Sequence, residues 1–484
     1  MSASRGRETE SRHSPAARLR GMVASLAGAA LCAAATWALA APPIPPPPPV
    51  HVAVPPPGKG APDQAEKRLP AGYIEEEFIV SGTGRLFAYD AEGEAAVKAS
   101  GVPWATRVLV RRPADPAKFS GWVLVEPMHP ELGRPFAWRN AGDYLGRKGD
   151  AWVGITTTRN LILYGDGDPI SRLQRSDPQR YAWLGFGPSG NEGGLNWDVI
   201  AAVGQAVKAG KLTGPLAVKK TLVGGWSGSG ALTIFFTNTF HMRERMADGG
   251  PIFDAVLIGE PGWYPPINAD SGSLIAYDAR QRPAMLDVPT ISVNSSAPIE
   301  FGMPFRPRAD SDDARNRFRA YEVAGADHRG TRDPTFTNPK TDCGAPASDF
   351  PLHYYYSLAV DHLKRWSDEG KAPPPSQPIA IDRYGYVVTD ASGNPVGGVR
   401  SPYLDVPVAR YYQTHAARLI ECRGGGRMDL FGPAELRKRY RSHAGYVARV
   451  KARADELVRA GWLMPEDAAE TVAKAQAFKG FEGR

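Results

Sequence analysis

Cysteine is scarce in this chain. There are three in 484 residues, Cys32, Cys343 and Cys422, and none lies in a CxxC pair or a cluster with histidine. That leaves no support for a zinc site. Basic runs interleaved with aromatics are also missing. The formal charge is +7, and much of it comes from Arg5, Arg7, Arg12, Arg18 and Arg20, set against Glu8 and Glu10. So small an excess over the remaining chain argues against a nucleic-acid partner. The long uncharged run, Met22 to Ala40, is made of alanine rather than leucine. It is weakly apolar and near the lower length limit for a membrane span. What remains is ordinary, with 42% hydrophobic and 23% charged residues. This is the balance of a soluble globular protein with ample chain for a large core.

The N-terminal region has its own pattern. Arg18 and Arg20 precede the alanine-rich run, and Ala38-Leu39-Ala40 forms an A-x-A site before Ala41. This predicts a signal peptide over residues 1–40, cleaved near Ala40, and export to the periplasm or the medium. A retained anchor is the alternative. Leu31 stands before Cys32, where lipid attachment wants a small residue. Prolines crowd residues 42–57, five of them consecutive at Pro45 to Pro49. They predict a stiff extended linker over 41–68, ahead of one folded domain over 69–484. In an exported protein, Cys343 and Cys422 are expected to form a disulfide.

The most informative stretch is KKTLVGGWSGSGALTIFFTNTF, Lys219 to Phe240. Thr221-Leu222-Val223 reads as a buried strand. Ala231 to Phe240 reads as an apolar helix, and between them Ser227 stands at the centre of a Gly-rich turn. Strand, sharp turn with a serine at its tip, then helix is the nucleophile elbow of α/β-hydrolases. The tip residue is forced into a strained conformation, so the residues two before and two after it must be small. Here they are Gly225 and Ser229. Ser229 is the rival nucleophile, two residues further from the strand. The bland alternative is a Gly-rich turn that binds phosphate at a helix N-terminus.

Strands predicted at Thr106–Val110, Trp122–Val125, Ala151–Thr157, Phe253–Ile258, Pro289–Val293 and Phe318–Val323 alternate with helices at 136–146 and 197–210. Such alternation predicts a mostly parallel sheet covered on both faces, with loop and helix insertions. A serine hydroxyl needs a base within hydrogen-bond reach. In this fold the acid and the histidine follow the serine along the chain. His241 ends the helix after the elbow, and His353 and His362 fall within one late helix. His328 sits in a loop directly after a strand, in FRAYEVAGADHRG, where the base belongs.

That last segment resembles the WEVAGTAH segment of the bacterial α/β-hydrolase-domain proteins. This is a branch of the α/β-hydrolase superfamily whose elbow reads GxSQSG or GxSQTG; GWSGSG stands in that place here. The similarity extends through LQRSDPQRYAWL, PLHYYYSLAVDHLKRWSDEGKAPPP, GGVRSPYLDVPVARY and the stretch from Cys422 to Trp462, covering most of residues 73–475. It implies an α/β-hydrolase fold with a Ser-His-acid triad, and no particular substrate. The chain departs from the family at the acid. The family places Glu or Asp just after the strand matching Pro289–Val293, whereas here Asn294-Ser295-Ser296-Ala297-Pro298 has no carboxylate. Glu300, shortly after, and Glu260, at the end of the preceding strand, are the two candidates, with Glu260 preferred; a Ser-His dyad without an acid is the third alternative. The oxyanion hole is expected to use the backbone N–H of Gly228. A second N–H is expected from the loop after Trp122–Val125, where Pro127 has none and Met128 or His129 supplies it.

Together these residues predict an exported serine hydrolase acting on a small-molecule carboxylic ester, with Ser227 as nucleophile and His328 as base. An amidase or peptidase would use the same residues. No metal or organic cofactor is required. The competing expectation is a hydrolase-fold protein that binds a ligand or a surface polymer without chemistry.

Overall fold

The computed structural model describes residues 47–59, 69–158, 168–188, 190, 192–261, 265–268, 282–299, 308–332, 345–414, 422 and 424–482, and the backbone of residue 300. The expected signal segment, Cys343 and the side chain of Glu300 lie outside these residues.

A single large sheet carries the fold. Its strands are β1 (His51–Ala53), β2 (Tyr73–Tyr89), β3 (Ala95–Pro113), β4 (Trp122–Pro127), β5 (Ala151–Ile155), β6 (Gly185–Phe186), β7 (Lys220–Trp226), β8 (Ala255–Gly259), β9 (Thr290–Ser295) and β10 (Phe318–Val323). They lie in the order β1-β2-β3-β5-β4-β7-β8-β9-β10, with β6 pairing β3 off the path. From β5 to β10 every pairing is parallel. The N-terminal strands β1, β2 and β3 are antiparallel additions at one edge.

Four helices cover the parallel part: α1 (Phe136–Lys148), α2 (Asn196–Lys208), α3 (Gly228–Thr239) and α4 (Leu352–Glu369). Side chains alternate across each strand, so every strand feeds two cores. Val123, Val125, Val153, Val223, Val256 and Ile258 meet Trp197 of α2 and Phe235 of α3 on one face. Trp122, Leu124, Trp152, Leu222, Leu257 and Ile291 meet Trp138 of α1 and Tyr355 of α4 on the other. Each fully buried side chain of this size contributes about 1.5–3 kcal/mol. Near-continuous apolar runs are what a parallel sheet buried on both faces requires.

Two features differ from the sequence expectation. His51–Ala53 pairs with β2, His51 opposite Ser81, so part of the proline-rich segment assigned to a free linker belongs to the sheet. Proline cannot donate to a ladder, and an edge strand is where its neighbourhood is tolerated. The segment is tied further by Arg180 Nη1 donating to the Pro56 carbonyl at 2.6 Å. Second, β2 and β3 form a hairpin far longer than the Thr106–Val110 strand expected. Beyond the sheet, α5 (Pro433–Tyr440), α6 (His443–Arg459) and α7 (Pro465–Ala477) pack with Val406 and Val408 into a third, smaller core. All described residues fall in one compact unit, Ala41–Arg484. Among them no helix is long and apolar enough to cross a membrane.

Helix α3 crosses β7 and β8 very closely. A methyl carbon on Gly230 would sit 2.0 Å from the Gly259 carbonyl oxygen, a backbone atom that cannot move aside. Gly230→Ala is therefore expected to push α3 off the sheet and cost about 2–3 kcal/mol. Urea unfolding measures this, and a midpoint equal to wild type would show that the contact is looser than described.

Candidate active site

The strand order reverses between β4 and β7, and α/β sheets place their sites beyond the strand C-termini at such a switch point. Ser227 follows β7 there. Its backbone has φ 59° and ψ −125°, a region that costs a residue with a Cβ about 1–3 kcal/mol. The local structure over-determines it. The Ser227 N–H donates to the Gly259 carbonyl at 3.1 Å, and its own carbonyl accepts the Ala231 N–H at 2.8 Å as α3 begins. Gly225 must lack a side chain, since a methyl there would meet the Ser229 backbone at 2.4 Å. Ser229 itself is fully buried, and its hydroxyl donates to Glu126 at 3.4 Å, inside the fold rather than at the tip.

His328 reaches Ser227 from the loop after β10. Its Nε2 lies 2.9 Å from Ser227 Oγ. An Asx-type turn presents it, with Asp327 Oδ1 accepting the N–H groups of Arg329 at 2.8 Å and Gly330 at 2.6 Å. The Trp226 indole N–H holds the His328 carbonyl at 2.8 Å. His241, by contrast, pairs with Asp287, and His362 with Tyr321. Both are spent on structure.

The carboxylate against His328 is Glu260, from the end of β8. Its Oε1 is 2.5 Å from His328 Nδ1, and its Oε2 accepts the Ser295 N–H at 2.7 Å. Glu260 is 2% exposed and has φ 33°, a second strained residue at the site. The end of β9, which lacks a carboxylate of its own, supplies the backbone donor that fixes the neighbour's. Burial opposes charge on the His328 imidazole, but the adjacent Glu260 carboxylate outweighs it and holds the pKa above its ordinary value. Glu300 ends a short helical turn after β9, with its side chain outside the described residues.

The expected oxyanion donors fare differently. Gly228 is the first residue of α3, where an N–H has no partner within the helix. Met128 is a correction. Its N–H donates to the Ile155 carbonyl at 2.9 Å, extending the pairing of β4 with β5, and its side chain is fully buried. The His129 N–H is taken too, by the Arg134 carbonyl at 3.1 Å. Neither backbone group is available to a ligand. Cys422 is fully buried, and its expected partner Cys343 is not among the described residues.

Several solved structures are similar to part of the chain. The esterase Est22 aligns with 12% identity over 46% of this chain and 65% of its own, just under two thirds, with a TM-score of 0.27. The methylesterase BT1017 aligns with 16% identity over 47% of this chain and 44% of its own, TM-score 0.27. XC6422 from Xanthomonas campestris, described as an a/b serine hydrolase without lid, aligns with 11% identity over 50% and 84%, TM-score 0.23. No curated protein matches. The sequence profile described as "Alpha/beta hydrolase domain" matches residues 33–473, and a match over so much of the sequence, on a sheet of this topology, means that the chain belongs to the alpha/beta hydrolase domain family.

Proposed function

We propose that the chain is a serine hydrolase of carboxylic esters, with Ser227, His328 and Glu260 as its triad. The observation that carries this reading is the unbroken hydrogen-bonded line from Ser227 Oγ through both His328 ring nitrogens to Glu260. Ser227 Oγ attacks the ester carbonyl carbon while His328 Nε2 takes its proton, and the carbonyl electron pair moves onto oxygen. The tetrahedral intermediate collapses, the C–O bond to the alcohol breaks, and His328 returns the proton to the departing alkoxide. Water then attacks the acyl-serine with His328 again as base, releasing the acid and regenerating Ser227. Glu260 orients the imidazole and stabilises its protonated form; it does not itself take the proton.

The same machinery cleaves activated amides, and ester is preferred here because an alkoxide is the easier leaving group. A non-catalytic role drew its support from the missing carboxylate after β9 and from the proline-rich stalk; the Glu260 carboxylate beside His328 speaks against the first of these grounds. The test is hydrolysis of p-nitrophenyl esters from acetate to octanoate, together with labelling by a fluorophosphonate probe. Turnover on at least one ester and labelling at Ser227 are expected. An unlabelled, folded protein that is inert on every chain length would sink the proposal.

We further propose export after cleavage near Ala40, with Cys343 and Cys422 bridged. Non-reducing peptide mapping of the exported protein should recover the two cysteine peptides joined. Two alkylatable thiols would end the disulfide idea.

A further inference from the structure

We propose that the imidazole side chain of His129 is the second donor of the oxyanion hole, giving its Nε2–H to the same oxygen as the Gly228 backbone N–H; this rests on the ester-hydrolase reading above.

From Pro127 to Gly133 the loop after β4 has no free backbone donor to offer. Pro127 and Pro130 carry no N–H. The N–H groups of Met128, His129 and Gly133 go to the carbonyls of Ile155, Arg134 and His129. Those of Glu131 and Leu132 go to His129 Nδ1, at 3.3 and 3.2 Å. From Pro127 to Gly133 every backbone N–H is therefore absent or engaged. An oxyanion hole with a single donor forfeits a contribution of about 10²–10³ in kcat, and with these N–H groups engaged a side chain of this segment is the donor that lies at hand.

His129 meets the requirements. Because Nδ1 accepts two N–H groups, the ring proton resides on Nε2, a tautomer assigned by the hydrogen-bond network. Nε2 itself has no partner among the described hydrogen bonds. The face of the ring at Nε2 lies over Gly228, the residue next to Ser227, so the Nε2–H points alongside residue 228 rather than into it. A methyl carbon on Gly228 would sit 2.7 Å from Nε2 and 2.9 Å from both Cδ2 and Cε1. The ring is 7% exposed and braced edge-on by Phe136 at 5.2 Å between centroids. A donor held this rigidly costs no reorganisation when negative charge develops. Burial, then the neighbouring His328 imidazole and the cations of Arg134, Arg139 and Arg172, lower its pKa to about 3. The ring stays neutral and keeps its single proton on Nε2 throughout the range where His328 acts as a base. The geometry also explains the glycine at 228, where the resembled elbow has glutamine: the ring occupies the space such a side chain needs.

Two replacements of His129 separate donation from support of the loop. His129→Asn keeps an acceptor near Nδ1 for the Glu131 and Leu132 N–H groups but has nothing at Nε2. His129→Gln places an amide N–H near Nε2 and loses the loop acceptor. On p-nitrophenyl acetate, His129→Asn is expected to lower kcat about 10²-fold with KM changed little. His129→Gln is expected to recover about tenfold of that loss. Gly228→Ala retains the residue 228 N–H but displaces the ring. It should lower kcat in the wild-type background and add little to His129→Asn, the non-additivity of two changes that remove one interaction. Thermal unfolding of each variant checks the fold, and Gly228→Ala decides if His129→Asn does not fold. Wild-type kcat in folded His129→Asn overturns the proposal. So does His129→Gln falling below His129→Asn, the order expected of a purely structural histidine. A wild-type protein that neither turns over esters nor labels with fluorophosphonate fails at the earlier step, and takes this proposal with it.

Discussion

Ser227→Ala is expected to lower kcat on p-nitrophenyl acetate by about 10⁶-fold while leaving the protein folded. Triads lose nearly all their advantage when the nucleophile goes, because base and acid have no proton left to move. The residual rate comes from the oxyanion donors and substrate binding alone. Stability offers an independent reading of the same residue. Alanine keeps the Cβ and therefore the strain of φ 59°, ψ −125°. Glycine releases it, so Ser227→Gly should be equally inactive yet more stable than Ser227→Ala by about 1 kcal/mol. Urea denaturation of the two variants measures the difference. Activity surviving in either variant would transfer the nucleophile elsewhere. Ser229 is poorly placed to take it over, being fully buried and bonded to Glu126.

Glu260→Gln carries the second-largest effect, a fall of about 10⁴-fold in kcat, because the wrong histidine tautomer is then held against the serine. The pH profile should move as well, and its sign follows from the site. The base works only when neutral. The raised His328 pKa therefore puts the acid limb of kcat/KM above the ordinary histidine value of 6.5, with activity lost as pH falls through it. Removing the Glu260 charge leaves burial and Arg329 lowering the pKa, against Asp327 alone raising it. The limb of the residual activity should therefore shift to lower pH. If instead Glu260→Gln keeps both rate and limb, and Glu300→Gln loses them, the acid is Glu300 and the Glu260 contact is structural.

The parts of the site that were legible in the sequence are those encoded within a few residues. The elbow needs a strand, a serine between small residues and a helix, all of which fit in the window from Lys219 to Phe240. His328 was singled out because one short loop after one strand is a local pattern. The sheet and its two-sided burial followed from apolar runs at regular spacing. The resemblance to bacterial α/β-hydrolase-domain proteins rested on these two segments and on four later or flanking stretches, and the family profile covers most of the chain.

The parts that were not legible depend on which strand lies beside which. Along the chain, Glu260 is favoured over Glu300 only narrowly. Only the pairing of β8 with β9 brings the Ser295 N–H onto the Glu260 carboxylate. Met128 looked available until β5, its parallel neighbour, presented the Ile155 carbonyl to its N–H. His51–Ala53 looked like spacer until an edge of β2 offered it a partner. Position within a sheet is set by contacts between residues tens to hundreds apart, and no local pattern records them. The amino-acid sequence by itself determined the strained turn at Ser227, the loop of His328 and the class of the fold, because sterics and periodicity act between neighbours. Tertiary structure alone decided which carboxylate faces the imidazole and which N–H groups remain for an oxyanion, because a hydrogen bond belongs to whichever strand arrives beside it.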